Sequence, residues 1–419
     1  MKLFSQYKGL RKEIYYLLIG RIITAMGSFV MPLLTLILRR KLDFTPSQIT
    51  LCLTIFFLIS LPAAIIGGKL TDKFKRKTII IIFDTITVIC YIVAGLIPIS
   101  NLTIGIVMLA AVFAQIEQPA YDALVADFSL PKDRERAYSL GYLGWNLGFI
   151  IGPTLGGLLF ENYLGLCFII TGIATFATTL ICIFFIHEKD AIALKEESEK
   201  ENQYEANEEK VSLWTFIKDK KIILYVAIVA ALSGAVYSSA SIVLPLAMDE
   251  AYAEMSSTYY GFASSLNGLV VILATPVLTL LLRKQLGLTK RGIGVLLYSV
   301  SLLLFAFYNN LFFIYVGMVL FTVGEVVSSI GSMAYITRRI PASHRGRISS
   351  LNTIVYGIFT GISQVLIGFF LDTNPYSHAF YIYLGLGILC TATYFILIQL
   401  DKKTFPQLYI PDERGERQA

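Results

Sequence analysis

About a dozen long apolar stretches alternate with short polar gaps along this chain. A helix that crosses a membrane needs roughly 20 apolar residues, and each stretch comes close to that length or exceeds it. The pattern predicts helices at residues 13–38, 46–68, 78–99, 102–126, 137–160, 164–187, 215–247, 257–282, 292–308, 310–335, 347–371 and 377–400. We therefore expect an all-α membrane protein with twelve transmembrane helices embedded in the lipid bilayer.

The composition supports a membrane protein and disfavours other classes. Hydrophobic residues make up 56% of the 419 residues and charged residues only 15%, which is too apolar for a soluble globule. The sequence has no nucleotide-binding loop, nucleophile motif or metal-ligand spacing, so we expect neither an enzyme nor a bound cofactor or metal. The net charge of +6 is spread over separate loops, which disfavours nucleic acid as a partner.

The basic residues predict how the chain is oriented in the membrane. Thirty-one of the thirty-five Lys and Arg residues fall in the two termini and in, or at the edges of, every second gap between helices. By the positive-inside bias, these gaps and both termini are cytoplasmic, and we expect a multi-pass protein of the cell membrane. One basic cluster, Arg39-Arg40-Lys41, stands against this orientation because it falls on a predicted outer loop.

A polar segment divides the chain into two bundles. Residues 188–213 are rich in Glu, Lys, Asn and Gln and nearly free of large apolar side chains, which is typical of an unstructured cytoplasmic linker. The segment separates a six-helix bundle over residues 1–187 from a second six-helix bundle with a cytoplasmic tail over residues 214–419.

A weak internal repeat relates the two bundles. Arg134-x-Arg136 after the fourth predicted helix reappears as Arg345-x-Arg347 after the tenth, at an offset of 211 residues. The same offset relates two further matches, Ser139 with Ser350 and Gly157 with Gly368. Because the matches share one offset, we interpret them as the trace of a duplication.

Two motifs resemble those of a known transporter superfamily. Gly68-Lys-Leu-Thr-Asp72-Lys73-Phe-Lys75-Arg76-Lys resembles the loop signature of the major facilitator superfamily, except that Lys75 stands where the signature has its second Gly. The fifth predicted helix carries Gly148-x-x-x-Gly152-Pro153-x-x-Gly156-Gly157, which is similar to a motif of the drug-exporting antiporters of that superfamily. The resemblance extends over essentially the whole chain and implies two parallel six-helix repeats that work by alternating access.

The loop signature suggests a cytoplasmic gate. The resemblance implies that Asp72 faces the amino terminus of the eleventh helix, where a carboxylate interacts favourably with the helix dipole. We expect Arg76 and Lys73 to find acidic partners such as Asp127. The gate would then comprise the residues Gly68, Asp72, Lys73, Arg76, Asp127, Arg134, Arg136, Arg345 and Arg347. The alternative is that these charges are solvated and only anchor the loops, which would contribute little energy.

The glycines of the fifth predicted helix suggest close packing. Gly148, Gly152 and Gly156 recur every four residues and so share one helix face, which permits close approach of another helix. Pro153 lacks a backbone N–H and can kink the helix. We expect this interface, with Gly157, to bend or slide during transport, whereas the alternative is packing alone.

The charges inside the predicted helices indicate a working cavity. A charged side chain deep in the bilayer costs at least ~2.5–3.5 kcal/mol, so it should be paired or line a wet cavity. Five residues qualify: Arg21, Asp84, Glu117, Asp122 and Glu325. Burial raises the pKa of a carboxyl group and a nearby cation lowers it, so a balanced carboxylate can take up and release a proton.

From these charges we expect Glu325 or Glu117 to carry the coupled proton, with Arg21 and Asp84 as a modulating ion pair. Many antiporters of the superfamily place a basic residue in the fourth helix; this chain lacks it, and Arg21 in the first helix can substitute. The alternative is that some of these charges only bridge helices. Candidate substrate contacts near them are Gln115, Gln118, Tyr121, Tyr142, Trp145, Asn146 and Tyr335.

Taken together, the residues and the resemblance predict a monomeric secondary transporter. The favoured function is a proton-coupled antiporter that exports amphipathic small molecules or drugs, with the proton gradient as its energy source. The rival function is a proton symporter that imports a metabolite such as a sugar or a peptide. The Glu-x-x-Glu-Arg signature of proton-coupled peptide transporters is not found in the first helix. A receptor or a lipid-scrambling scaffold is a third alternative, disfavoured by the short outer loops and matched halves.

Overall fold

The fold is known from a computed structural model that describes residues 7–187, 220–339 and 342–409, without the side chains of residues 131, 132, 135, 333, 334, 336–338 and 342–351. The predicted linker over 188–213 lies outside the described residues. The described α-helices are, in chain order, α1 (Lys12–Met26), α2 (Val30–Leu36), α3 (Pro46–Lys73), α4 (Arg76–Leu96), α5 (Asn101–Asp127), α6 (Pro131–Phe149), α7 (Gly152–Phe185), α8 (Lys221–Tyr252), α9 (Ser256–Leu281), α10 (Gly287–Phe305), α11 (Leu311–Arg339), α12 (Ala342–Leu371) and α13 (Tyr376–Thr404).

These helices supply twelve crossings of a membrane. Ten stretches of the described chain are long and apolar enough to span a bilayer. Two of them, Arg136–Phe185 with 50 residues and Lys221–Leu281 with 61, are long enough for two crossings each, because a helix of about 20 residues already spans the hydrocarbon core. Each is interrupted near its middle, at Tyr163 (φ −134°, ψ 35°) and at Ala253 (φ 45°). The predicted twelve-helix fold is confirmed.

The first crossing is broken, whereas the sequence predicts one continuous helix over residues 13–38. The helix α1 ends at Met26, α2 begins at Val30, and a π-helical turn, Ile37–Lys41, follows. At the break, the hydroxyl group of Thr171 donates a hydrogen bond to the carbonyl oxygen of Gly27 at 2.6 Å. A side chain from α7 thus satisfies a backbone group that the helix leaves unpaired, which is a common cause of a helix break.

The fifth crossing is broken as well, at the place where the sequence predicts a kink. The helix α6 ends at Phe149 and α7 begins at Gly152. Pro153 explains the break because its ring clashes with the carbonyl group four residues earlier, which belongs to Phe149. The predicted loop over residues 161–164 is much shorter in the structure, where only Tyr163 leaves the helical conformation of α7.

The chain forms two compact units. Within the described residues, unit 1 comprises 7–44, 55–187 and 254–269, and unit 2 comprises 45–54, 220–253 and 270–409. These units differ from the predicted halves in two segments, because the start of α3 belongs to unit 2 and the start of α9 belongs to unit 1.

The glycine-rich face of α6 and α7 packs closely in unit 1. A Cβ atom at Gly148 would come within 2.6 Å of the Cβ of Ala25, and one at Gly152 would come within 2.8 Å of the carbonyl oxygen of the same residue in α1. Gly156 lies against Phe29 in the same way. The close helix approach predicted for these glycines is present, and its partner is the first crossing.

Gly157 makes an equivalent contact with a different helix. Its carbonyl oxygen accepts hydrogen bonds from the hydroxyl groups of Ser257, at 3.2 Å, and Thr258, at 3.3 Å, both at the start of α9. In unit 2, Gly368 lies against the start of α3, where its missing side chain leaves room for Thr50. Gly157 and Gly368, which match in the internal repeat, therefore each accommodate the start of another helix.

Candidate functional site

Unit 1 contains two adjoining cavities that collect most of the predicted membrane charges. One, of about 240 Å³, is lined by Arg21, Asp84 and Glu117 among others. The other, of about 380 Å³, is lined by Arg21 and Asp122. Both cavities are lined by the predicted contacts Gln118, Tyr121 and Trp145. Gln115 lines only the first cavity and Tyr142 only the second. Asn146 is buried and lines neither.

The helix α5 sets the composition of these cavities through its periodicity. Glu117, Gln118, Tyr121 and Asp122 are spaced at one, four and five positions, which places their side chains on adjacent parts of one helix face. Opposite them, α1 contributes Arg21. The cavities therefore hold three carboxylates and one guanidinium group.

Arg21 is held tightly by its neighbours. It donates a hydrogen bond to Gln118 Oε1 at 3.2 Å, and its Nη2 lies 4.0 Å from Asp122 Oδ1. Gln118 in turn donates to Asp122 Oδ1 at 2.9 Å. The guanidinium carbon lies 4.8 Å from the ring centre of Tyr121 and 5.4 Å from that of Trp145, both in the range of cation–π contacts.

The expected ion pair between Arg21 and Asp84 is therefore wrong, since the carboxylate in contact with Arg21 is that of Asp122. Asp84 on α4 is buried and accepts a hydrogen bond of 2.7 Å from the hydroxyl group of Thr179 on α7. Sequence reasoning missed Thr179. A signal was present, because the sixth crossing carries threonines at 171, 175, 178 and 179, and the first three of these line the cavity.

Unit 2 contains a larger cavity of about 500 Å³. Two candidate residues from the sequence, Glu325 and Tyr335 of α11, line this cavity. Arg291 of α10 also lines it, although the charge pattern of the sequence indicates only a basic loop at this position. The remaining wall contains the tyrosines Tyr237, Tyr298 and Tyr356, three serines of α11, and Asn352 and Thr353 of α12.

Beside this cavity lies a buried ion pair that the sequence did not predict. Arg339, at the end of α11, binds both carboxylate oxygens of Asp401 on α13, with Nε–oxygen distances of 3.0 and 3.1 Å. The side chains are 1% and 0% exposed. Tyr335 donates to the same carboxylate at 3.4 Å, so its hydroxyl group is directed to this ion pair.

The segment after α13 completes the arrangement. Tyr409 donates a hydrogen bond to Asp401 Oδ2, and the ring of Phe405 lies 5.9 Å from the guanidinium carbon of Arg339. Burial and the hydrogen bond to Asp401 raise the pKa of Tyr409, so its hydroxyl group stays protonated as a donor. This cluster of Tyr335, Arg339, Asp401, Phe405 and Tyr409 ties the chain after α13 to the edge of the unit 2 cavity.

The residues of the predicted cytoplasmic gate are only partly brought together. Arg76 pairs with Asp127, as predicted, at 3.3 Å, and it also donates to the carbonyl oxygen of Thr71 at 3.0 Å. Arg136 pairs with Asp133 at 2.6 Å. Of the remaining described members, Asp72 and Lys73 are exposed, Gly68 faces open space, and Arg134 Nε has no hydrogen-bond partner among the described residues. The side chains of Arg345 and Arg347 lie outside the described residues.

Two of the three cations in the basic cluster that opposed the predicted orientation share one carboxylate. Arg40 lies 3.2 Å and Lys41 lies 3.1 Å from the carboxylate of Glu161 on α7. Lys41 also donates to the carbonyl oxygen of Glu161 at 3.3 Å. Asp372, which follows Glu161 at the offset of 211 residues found in the internal repeat, accepts a 3.0 Å hydrogen bond from the backbone N–H of Ser47 at the start of α3. Both acidic residues therefore satisfy groups at the ends of other helices.

Comparison with known proteins identifies the relatives of this chain. The family model described as Major Facilitator Superfamily matches residues 17–293 and 255–409. The Na(+), Li(+), K(+)/H(+) antiporter of Planococcus maritimus is 23% identical over 261 residues, 57% of this chain and 61% of that protein. The quinolone resistance protein NorA of Staphylococcus aureus is 27% identical over 186 residues, 43% of this chain and 46% of that protein. The matched stretches thus span less than two thirds of either relative.

Solved structures with the same fold are more distant in sequence. A mutant of the peptide transporter POT in complex with alafosfalin has a TM-score of 0.74 and 14% identity, covering 95% of this chain and 96% of that one. A mutant of the nucleoside transporter NupG has a TM-score of 0.73 and 12% identity, covering 92% of this chain and 100% of that one. At these identities the likeness concerns the fold alone.

Proposed function

Because this chain belongs to the major facilitator superfamily and is thus a multi-pass membrane transporter rather than an enzyme, we propose that it is a proton-coupled antiporter of amphipathic small molecules. In this proposal, both termini are cytoplasmic, the protein works as a monomer in the cell membrane, and it exports its substrate by alternating access. The proton gradient supplies the energy, without a bound cofactor.

The observation that carries the proposal is the position of Glu117. It lies in a spanning helix and lines a unit 1 cavity with Arg21 and Asp84. A carboxylate in such a place is costly unless it has a function or a partner. Neighbouring acidic and basic groups tune the proton affinity of a buried carboxylate, which allows it to exchange a proton during the transport cycle.

The chemistry of the cavity wall supports an amphipathic substrate. Tyr121 and Trp145 offer aromatic faces, while Gln115 and Gln118 offer amide groups for hydrogen bonds. The partial likeness to NorA, named as a quinolone resistance protein, and to a cation/proton antiporter favours export over uptake.

The test measures coupling and substrate exchange separately. Purified protein in liposomes is loaded with the cationic methyl ester of a rhodamine dye, and dye loss is recorded with and without an inward proton gradient. Exchange of labelled for unlabelled dye at equal pH needs no net proton movement. We expect Glu117→Gln to keep exchange but to lose acceleration by the gradient. The same pair of measurements on Glu325→Gln decides which of the two carboxylates carries the proton.

The control is Glu254→Gln, which removes an exposed carboxylate outside both units' cavities. It should leave both measurements unchanged. Gradient-driven export at the wild-type rate in both Glu117→Gln and Glu325→Gln would refute proton coupling through either residue.

A second candidate is antiport of a monovalent cation against protons. Two observations favour it: the cavities of unit 1 hold three carboxylates for one guanidinium group, and one relative is named as a Na(+), Li(+), K(+)/H(+) antiporter. A proton flux driven by an imposed sodium or potassium gradient in dye-free liposomes, lost in Glu117→Gln, would favour this candidate over dye export.

A further inference from the structure

Arg291 stands in the wall of the unit 2 cavity because α10 and α11 pack with their backbones in contact. A Cβ atom at Gly294 would lie 2.6 Å from the carbonyl oxygen of Gly324, and one at Gly331 would lie 2.8 Å from the backbone nitrogen of Arg291. Such close approach of two helices requires residues without side chains. It places Arg291 beside the same cavity that Glu325 lines.

The guanidinium group of Arg291 has unused hydrogen-bonding capacity. Its Nε is buried and has no hydrogen-bond partner among the described residues, and its carbon lies 5.3 Å from the ring centre of Tyr394. By contrast, Arg21 donates to Gln118, and Arg339 binds Asp401 through two nitrogens. A guanidinium group carries five N–H donors, and a buried donor without an acceptor is costly. A ligand that supplies an acceptor would therefore gain from binding here.

We propose that Arg291 binds the carboxylate of the transported molecule, so that the preferred substrates are amphipathic acids or zwitterions with an aromatic body. The guanidinium fork matches a carboxylate in geometry and charge. Tyr237, Tyr298 and Tyr356 provide aromatic faces for the body of such a molecule. The volume of about 500 Å³ suits a ligand of drug size. This inference rests on the proposed export function, since it names the substrate class of the same transporter.

The experiment uses two probes that differ in one group, a rhodamine dye with a free benzoic acid and the methyl ester of the same dye. Binding of each to the purified full chain in detergent is measured by fluorescence anisotropy at pH 7.5, where the benzoate is ionised. The variants are Arg291→Gln, which removes the charge, and Arg291→Lys, which keeps the charge without the fork. The control is Arg283→Gln, which removes an exposed charge just before α10.

We expect the wild type to bind the acid more tightly than the ester. Arg291→Gln should weaken acid binding about tenfold or more, the loss typical of one charge-assisted hydrogen-bonded pair, and leave ester binding within about twofold. Arg291→Lys should fall between these, and Arg283→Gln should match the wild type. The ester also reports whether each variant is folded, because a misfolded protein would bind neither dye.

Three results would overturn the proposal: equal binding of acid and ester by the wild type, equal weakening of both in an Arg291→Gln variant that still binds the ester measurably, or binding of neither dye by the wild type. The first two would assign Arg291 to helix packing or loop anchoring. Failure of the proposed export function looks different. In that case the acid would still bind through Arg291, but a proton gradient would not accelerate the release of either dye from liposomes.

Discussion

The contact between α6 and the first crossing allows one substitution to be compared with an internal control. Gly148 and Gly141 lie on the same helix, seven residues apart. A Cβ atom at Gly148 would lie 2.6 Å from the Cβ of Ala25 and 2.8 Å from the backbone nitrogen of Met26. A Cβ atom at Gly141 would meet nothing within 4 Å. Replacing each glycine by alanine therefore adds the same methyl group to an occupied place and to an open one.

The expected magnitude follows from two terms. Alanine stabilises a helix interior by about 0.5–1 kcal/mol relative to glycine at either position, which is the gain expected for Gly141→Ala. Gly148→Ala adds an overpacking cost of about 1–3 kcal/mol, because the neighbours are backbone atoms of α1 that cannot move alone. The propensity gain cancels when the two variants are compared, so their unfolding free energies should differ by about 1–3 kcal/mol.

The measurement is unfolding of the purified variants in mixed micelles with increasing denaturing detergent, followed by the helical circular dichroism signal. Gly148→Ala should unfold at a lower detergent fraction than the wild type or close to it, and Gly141→Ala at a higher one. Equal shifts of the two variants in the same direction would refute the idea that α1 packs directly against Gly148.

Two further predictions concern buried polar groups. Asp401→Asn removes the charge partner of Arg339 inside unit 2 and should destabilise the protein by about 3–5 kcal/mol. Tyr409→Phe removes one hydrogen bond to the same carboxylate and should cost about 1.5–3 kcal/mol. The same unfolding measurement ranks the two variants, and the reverse order would contradict the role given to the ion pair. Thr179→Val removes the hydroxyl group that binds Asp84 and should cost about 1–3 kcal/mol. The control is Thr175→Val, which should cost clearly less because the hydroxyl group of Thr175 bonds only within its own helix. Equal losses of stability would argue against the hydrogen bond between Thr179 and Asp84.

The number of crossings could be read from the sequence because lipid restricts what a chain can do. Within a bilayer each backbone group must be satisfied inside the helix, so a span appears as an unbroken apolar stretch. The breaks in these spans were harder to predict. Pro153 predicts the break between α6 and α7 because proline disrupts a helix. The break at Gly27, in contrast, depends on Thr171, which lies 144 residues away.

The members of the candidate site were easier to predict than their partners. Arg21, Glu117 and Asp122 stand out because charges in apolar helices are costly, and the structure brings them to adjoining cavities. The contact of Arg21 with Asp122 instead of Asp84 depends on how each helix is rotated about its axis, which apolar periodicity alone does not determine in spans that are hydrophobic on every side.

Arg291 and Arg339 were missed for a different reason. Both lie near helix ends, where a basic residue is commonly an anchor at the membrane surface, and the positive-inside pattern accounts for them without any further role. The acidic partner Asp401 of Arg339 lies 62 residues later in the chain. Only the structure shows that this pair joins the ends of α11 and α13 and is buried.

The bond between Lys41 and Glu161 has a consequence for biosynthesis. The two residues are 120 positions apart, so in the proposed orientation the ribosome delivers three cations to the far side of the membrane well before their counter-ion exists. During that interval the loop between the first two helices carries a charge pattern that favours its retention on the cytoplasmic side. If the proposed orientation holds, we expect the final placement of this loop to depend on the arrival of the fifth helix, so that membrane insertion is cooperative and not a strict sequence of independent steps.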